Sequence, residues 1–128
     1  MNSTEAFLTQ FNQAWFEHDV DGVVDGVTDD IHFRMATDEE GIHGKAAFRA
    51  WLAEMANPEY KISFKTERLI VSGDDAVLAG RMEMTEPSGQ QRRFASCDIY
   101  KLRNGKVASM LVYFMNFQAD EGCPNSTD

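Results

Sequence analysis

Cysteine is scarce in this sequence of 128 residues: Cys97 and Cys123 are the only two, and their separation suits neither a disulfide scaffold nor a metal knuckle nor a redox pair. Both are read as free thiols in a reducing compartment. Basic residues are outnumbered, 12 Lys and Arg against 21 Asp and Glu, which leaves a formal net charge of −9, and no basic cluster exceeds the pair Arg92-Arg93. Such a chain repels phosphate backbones, so nucleic acid is not expected as a partner. No apolar run approaches the roughly twenty residues of a membrane span, and the N-terminal MNSTEAFLTQF lacks the basic and then apolar blocks of an export signal. No membrane partner is expected, and the expected location is the cytoplasm.

Several catalytic signatures are also missing. There is no phosphate-cradling GxGxxG or GxxxxGK loop, no GxSxG elbow and no HExxH. His18, His32 and His43 have neither HxH nor HxxxH spacing, so no metal site is expected. The stretch DVDGVVDG resembles a calcium loop only at first sight. Val23 stands where an oxygen ligand is needed, the glycine comes too early, and position twelve is Asp30 where a bidentate glutamate is required. Its acids are better read as capping a helix and facing water.

What is present is a domain-sized chain with 43% hydrophobic residues and an ordered change of period. Asn2 or Ser3 caps a first helix, with Glu5 near its positive end and Phe7, Phe11 and Trp15 as its apolar stripe. DVDGVVDGV reads as a short second helix weakened by two glycines, and DDIHFRMAT turns extended. After breaks at Gly41 and Gly44, KAAFRAWLAEMA places Ala47, Phe48, Trp51, Leu52 and Met55 on one side of a third helix, which Pro58 ends. From there the pattern is extended, with runs near 61–71, 75–86, 90–103 and 106–117 separated by the turn signals SGDD, EPSGQ and RNG. Helices first and an antiparallel meander second make an α+β domain over residues 1–117, followed by an aperiodic, mobile tail at 118–128.

The candidate chemistry lies on two neighbouring runs. In DAVLAGRMEMTE, Arg81, Glu83 and Thr85 alternate with Met82 and Met84; in the next run Asp98 shares a face with Ser96 and Tyr100. If the two polar sets face the helices, they meet in a pocket lined by Phe11, Trp15, Phe33, Met35 and Trp51. Met82, Met84, Cys97 and Ile99 then form an outer surface for a second copy. The reverse assignment buries the methionines and leaves Arg81, Glu83 and Asp98 in water. Periodicity alone leaves both open.

The segments DDIHFRMA, GIHGKAAFRAWLAEM, DDAVLAGRMEM and CDIYKLRNGKVASMLVYF resemble the SnoaL-like branch of the nuclear-transport-factor-2-like superfamily, from about Phe7 to Phe117. The resemblance implies an α+β cone, with three N-terminal helices packed in the concave face of a curved, mainly antiparallel sheet. It also implies a pocket at the wide end for a small apolar molecule, and a homodimer through the outer sheet face. Asp98 resembles the pocket aspartate of SnoaL-type polyketide cyclases and the oxyanion-binding aspartate of ketosteroid isomerases. It would act in cofactor-independent cyclase or isomerase chemistry with Arg81 and Glu83 beside it, and Ser96, Tyr100, Met110, Val112 and Phe114 would complete the lining. Two departures from relatives stand out. The isomerase base falls at Met35 and its tyrosine at Phe11, while the third member of an epoxide-hydrolase triad begun by Arg81 and Glu83 falls at Val112. A non-catalytic ligand-binding or dimerisation module, and epoxide hydrolysis through Arg81, Glu83 and Asp98, are the alternatives.

Overall fold

A computed structural model describes residues 2–117, with nine elements. The stretch read as a tail, 118–128, and Cys123 within it lie outside the described residues. Helix α1 (Ser3–Phe16) begins with a reciprocal capping box: the Asn2 side chain accepts from the Glu5 amide at 2.8 Å, and the Glu5 carboxylate accepts from the Asn2 amide at 2.9 Å. Helix α2 (Val20–Val24) is capped by Asp19, whose carboxylate accepts from the Gly22 amide at 3.0 Å. Asp19 thus takes the capping role expected of the DVDGVVDG acids, while Asp21 is exposed and pairs with Arg49 at 2.9 Å. Helix α3 (Lys45–Met55) buries Phe48 and Leu52.

The remaining elements form one six-stranded sheet. Strands β1 (Val27–Met35), β2 (Ile42–His43), β3 (Lys61–Ser72), β4 (Asp75–Thr85), β5 (Gln91–Arg103) and β6 (Lys106–Phe117) lie in the order β2-β1-β6-β5-β4-β3. The meander β3 to β6 is antiparallel, and β1 joins it by a parallel pairing with β6. The short β2 was not foreseen; Gly41 and Gly44, read only as breaks, flank a two-residue return that pairs with β1. His32 and His43, cross-strand partners there, stack at 4.1 Å outside the core.

Hairpin chemistry sets the registers. Asn104 and Gly105 both have positive φ, 55° and 78°, the conformation a two-residue hairpin requires and one in which asparagine and glycine are the favoured residues. Three residues further along, β6 carries a bulge: Leu102 pairs with Val107 but Lys101 pairs with Ser109, so Ala108 is the extra residue. Gly80 marks a close approach, since a Cβ there would meet the Phe64 ring at 2.3 Å. The Phe64 ring in turn stacks on Phe16 of α1 at 4.9 Å, tying the edge strand to the helices. The core lies between helices and concave face, with Leu8, Val23, Val27, Ile31, Phe48 and Val107 almost fully buried.

Candidate functional site

Between α1, α3 and the concave face of the sheet lies a cavity of about 540 Å³. Trp15, Phe33 and Trp51 form one aromatic wall, with ring separations of 5.7 Å for Trp15 to Phe33 and 4.9 Å for Phe33 to Trp51. Phe114, stacked on Phe94 at 4.6 Å, stands at the open side. Methionine is concentrated here: of the seven in the chain, Met35, Met55, Met82, Met84 and Met110 line the cavity. Unbranched, polarizable thioethers fit irregular apolar surfaces and adapt to different occupants.

Asp98 is the one buried charged side chain among the described residues, 6% exposed. Its cross-strand neighbours are Leu78 on β4 and Val112 on β6, neither of which can solvate a carboxylate. The Tyr100 hydroxyl donates to Asp98 Oδ2 at 3.3 Å. Oδ1 takes no hydrogen bond within the described residues, and none of their buried side-chain oxygens or nitrogens is left unsatisfied, so Oδ1 reaches the cavity. Burial pushes the Asp98 carboxyl up to about 7, and the Tyr100 hydrogen bond only partly offsets this by favouring the charged form. Tyr100 itself is pushed well above the usual phenol range by burial and by the adjacent carboxylate.

Sheet register decides which expected residues join Asp98. Leu78 lies opposite Asp98, Gly80 opposite Ser96 and Met82 opposite Phe94, so the even-numbered residues of both strands share the concave face. Arg81 and Glu83 therefore lie on the outer face, correcting their expected place in the pocket. Arg81 is exposed and bonds Glu67 at 3.0 Å, while Glu83 is exposed and pairs with Arg93 at 3.5 Å. The same register overturns the outer position expected for Met82 and Met84, which line the cavity. It also removes the proposed Arg81, Glu83 and Asp98 hydrolytic set, because those three side chains stand on opposite sides of the sheet.

Of the residues expected to line the pocket, Trp15, Phe33, Met35, Trp51, Ser96, Met110, Val112 and Phe114 do so. Phe11 and Tyr100 do not. They pack edge to face at 6.2 Å behind the floor, 4% and 1% exposed. Sequence reasoning missed His18, Asn57 and Tyr60 at the rim, where the His18 ring Nε2 bonds the Tyr60 carbonyl at 3.0 Å. The positive φ of His18, 60°, was not foreseen, although histidine enters the left-handed region more readily than most residues with a side chain. Among the described residues no three of His, Cys, Asp and Glu form a group able to hold a metal, and no helix is long and apolar enough to cross a membrane.

An α+β cone with an apolar cavity on the concave side of its sheet defines the nuclear-transport-factor-2-like class. The family model for the SnoaL-like domain matches residues 8–110, and the chain belongs to that family. A search of curated proteins gave no significant match. Among solved structures, a candidate SnoaL-like polyketide cyclase from Shewanella putrefaciens CN-32 superposes with a TM-score of 0.78 at 18% identity, covering 90% of this chain and 81% of that one. An LEH-like epoxide hydrolase of M. tuberculosis gives 0.75 at 17% identity, over 87% and 81% of the two chains. The epoxide hydrolase/cyclase-like enzyme SalBIII, with a role in pyran ring formation in the polyether salinomycin, gives 0.73 at 21% identity, over 89% and 95%. At these identities the likeness is one of fold.

Proposed function

We propose that this protein binds a largely apolar small molecule in the cone and moves a proton on it with Asp98, in a cyclase- or isomerase-type reaction that needs no metal or organic cofactor. The observation that carries the reading is a single carboxyl, buried at the floor of an apolar cavity and pushed up to about 7, so that both protonation states are populated near neutrality. As carboxylate, Oδ1 accepts a proton from a carbon next to a ligand carbonyl and leaves an enolate. The resulting acid returns the same proton to another carbon or to the oxygen, so atoms and charge balance over the cycle. Tyr100 holds Oδ2, which leaves Oδ1 as the working oxygen.

Proton transfer is read directly as deuterium uptake by 2-tetralone, an apolar ketone with exchangeable α-protons, in D2O. Exchange faster than the buffer background is expected for the native chain, with a loss of about a hundredfold or more of that excess in Asp98→Asn. Equal exchange in the two proteins, with circular dichroism showing both folded, overturns the assignment of Asp98. One observation favours a non-catalytic binding module as the second reading: Tyr100 is the sole hydrogen-bond partner of Asp98 among the described residues, and no second acid or base stands beside it on the floor. Tight ligand binding with no exchange would select that reading.

We further infer that the partner is a second copy, docked through the outer sheet face. Ile70, Val77, Ile99 and Leu111 lie side by side across four strands there, and Ile70 and Ile99 are 48% and 39% exposed. Charges of both signs flank this band, Arg81 and Lys65 with Glu67 and Glu83 on one side and Lys101 with Asp75 on the other, so the face is self-complementary under a two-fold axis. Native mass spectrometry should record a dimer that Ile99→Lys converts to monomer; a native monomer overturns the interface.

A further inference from the structure

The cavity is as informative for what its walls omit as for what they contain. Among the described residues its lining includes no lysine and no arginine. Among the described residues three carboxylates line it: Asp98 at the floor, and Asp19 and Glu54 on the helical side of the mouth. Asp19 is occupied with capping α2, but Glu54 is exposed and takes no hydrogen bond or ion pair within the described residues. On the concave face at the same end of the sheet, Arg92, next but one to Phe94 on β5, does not line the cavity and its guanidinium is held by Glu86, while Arg93 lies on the outer face and pairs with Glu83. Around this mouth the protein as a whole carries a net charge of −9.

A carboxylate or phosphate ligand would have to leave water for apolar walls that offer, among the described residues, no lysine or arginine and only the His18 ring, whose Nε2 is engaged by the Tyr60 carbonyl at 3.0 Å, and would then approach Asp98. Desolvation and like-charge repulsion both act against it. An uncharged ligand meets neither cost. A ligand with an ammonium at its outer end keeps that charge at the solvated mouth, where Glu54 offers an ion pair and the aromatic wall of Trp15 and Trp51 stands in the same cavity to attract a cation. We propose that the cavity takes uncharged or cationic apolar molecules and rejects anions, with an apolar amine as its best-held occupant. This rests on the small-molecule reading above, and it removes carboxylate-bearing and phosphate-bearing compounds, thioesters of nucleotide carriers among them, from the substrate class.

Three naphthalenes of one shape test it: 2-(2-naphthyl)ethylamine, 2-(2-naphthyl)ethanol and 2-naphthylacetate, titrated at pH 8 against the fluorescence of Trp15 and Trp51, the only tryptophans of the chain and both in the cavity wall. The alcohol should bind at least about tenfold more tightly than the acetate. The amine should exceed the alcohol by about two- to fivefold, the range an exposed ion pair supplies. That second margin should shrink between 20 mM and 500 mM salt, values chosen to shorten the screening length several-fold. Glu54→Lys, a change at an exposed helical position, should reverse the order of amine and acetate relative to the native chain. Acetate binding as tight as the alcohol overturns the inference while leaving the cavity reading intact. Failure of all three to bind removes the cavity reading, and the inference with it.

Discussion

The two faces of strands β4 and β5 carry the same residue types and put them to different use. On the outer face, Glu83 faces Arg93 and Asp75 faces Lys101 at 3.5 Å and 3.0 Å, all in reach of water. On the concave face, one pleat away, Asp98 has Leu78 and Val112 for neighbours and a single phenol for a partner. Exposed ion pairs of the first kind are nearly neutral in stability, because solvent screens them and their side chains lose freedom in pairing. A carboxyl of the second kind keeps its proton to about pH 7, since burial disfavours the charged form more than one hydrogen bond restores it. Reactivity here follows from which side of a 5 Å-spaced sheet a residue faces, not from its identity.

The sharpest way to break that contrast is to remove Ala108, the extra residue of the β6 bulge. Without it the pleat beyond the turn loses its match, and Met110, Val112 and Phe114 would have to exchange faces with Leu111 and Tyr113. Deletion should cost about 3 kcal/mol or more in urea unfolding, whereas a loss below about 1 kcal/mol would show that the register does not depend on the bulge.

Asp98→Asn should sharpen the contrast by raising stability while it removes proton transfer. A carboxyl whose titration moves from the ordinary aspartate range up to about 7 on folding gives its full favourable balance below the unfolded value and loses it as pH rises through 7. The variant's advantage should therefore be near zero at pH 4, grow with pH, and level off above pH 7 at about 2 to 4 kcal/mol. A stability difference that does not vary with pH would show that Asp98 titrates normally.

Smaller in energy is Tyr100→Phe. It removes the bond that favours the ionised carboxylate, so the Asp98 titration followed by carboxyl carbon NMR should move above 7. An unmoved titration would mean that the phenol is only packing. Least of all, Glu83→Ala and Arg93→Ala, alone or together, should change unfolding free energy by no more than about 0.5 kcal/mol and leave 2-tetralone exchange at its native rate. Loss of exchange in Glu83→Ala would restore that residue to the site and contradict its place on the outer face.

Much of the chain was legible before the structure. The stripe of Phe7, Phe11 and Trp15, the cap at Asn2, the change of period after Pro58 and the turn at Asn104-Gly105 each express a local preference, so three helices and the four-strand meander could be placed from sequence. The presence of Asp98 in an otherwise strand-like run was equally visible. The partners of Asp98 were not, because alternation fixes only which residues of one strand share a face and is silent on which face of the next strand they meet.

That choice was made by non-local geometry. The loop between Thr85 and Gln91 has the length that brings even-numbered residues of β4 opposite even-numbered residues of β5, and the bulge at Ala108 carries the same parity into β6. A one-residue difference in that loop would have turned Arg81 and Glu83 to the face of Asp98, and one at the bulge would have turned Leu111 and Tyr113 toward it. The sequence by itself determined the elements, their order and the carboxyl that stands apart, since those depend on residues a few positions from one another. Only the tertiary structure decided that methionines and aromatic rings surround that carboxyl while its charged neighbours in sequence face the other way, because register is settled by pairing across the sheet and by the helices that bury one side of it.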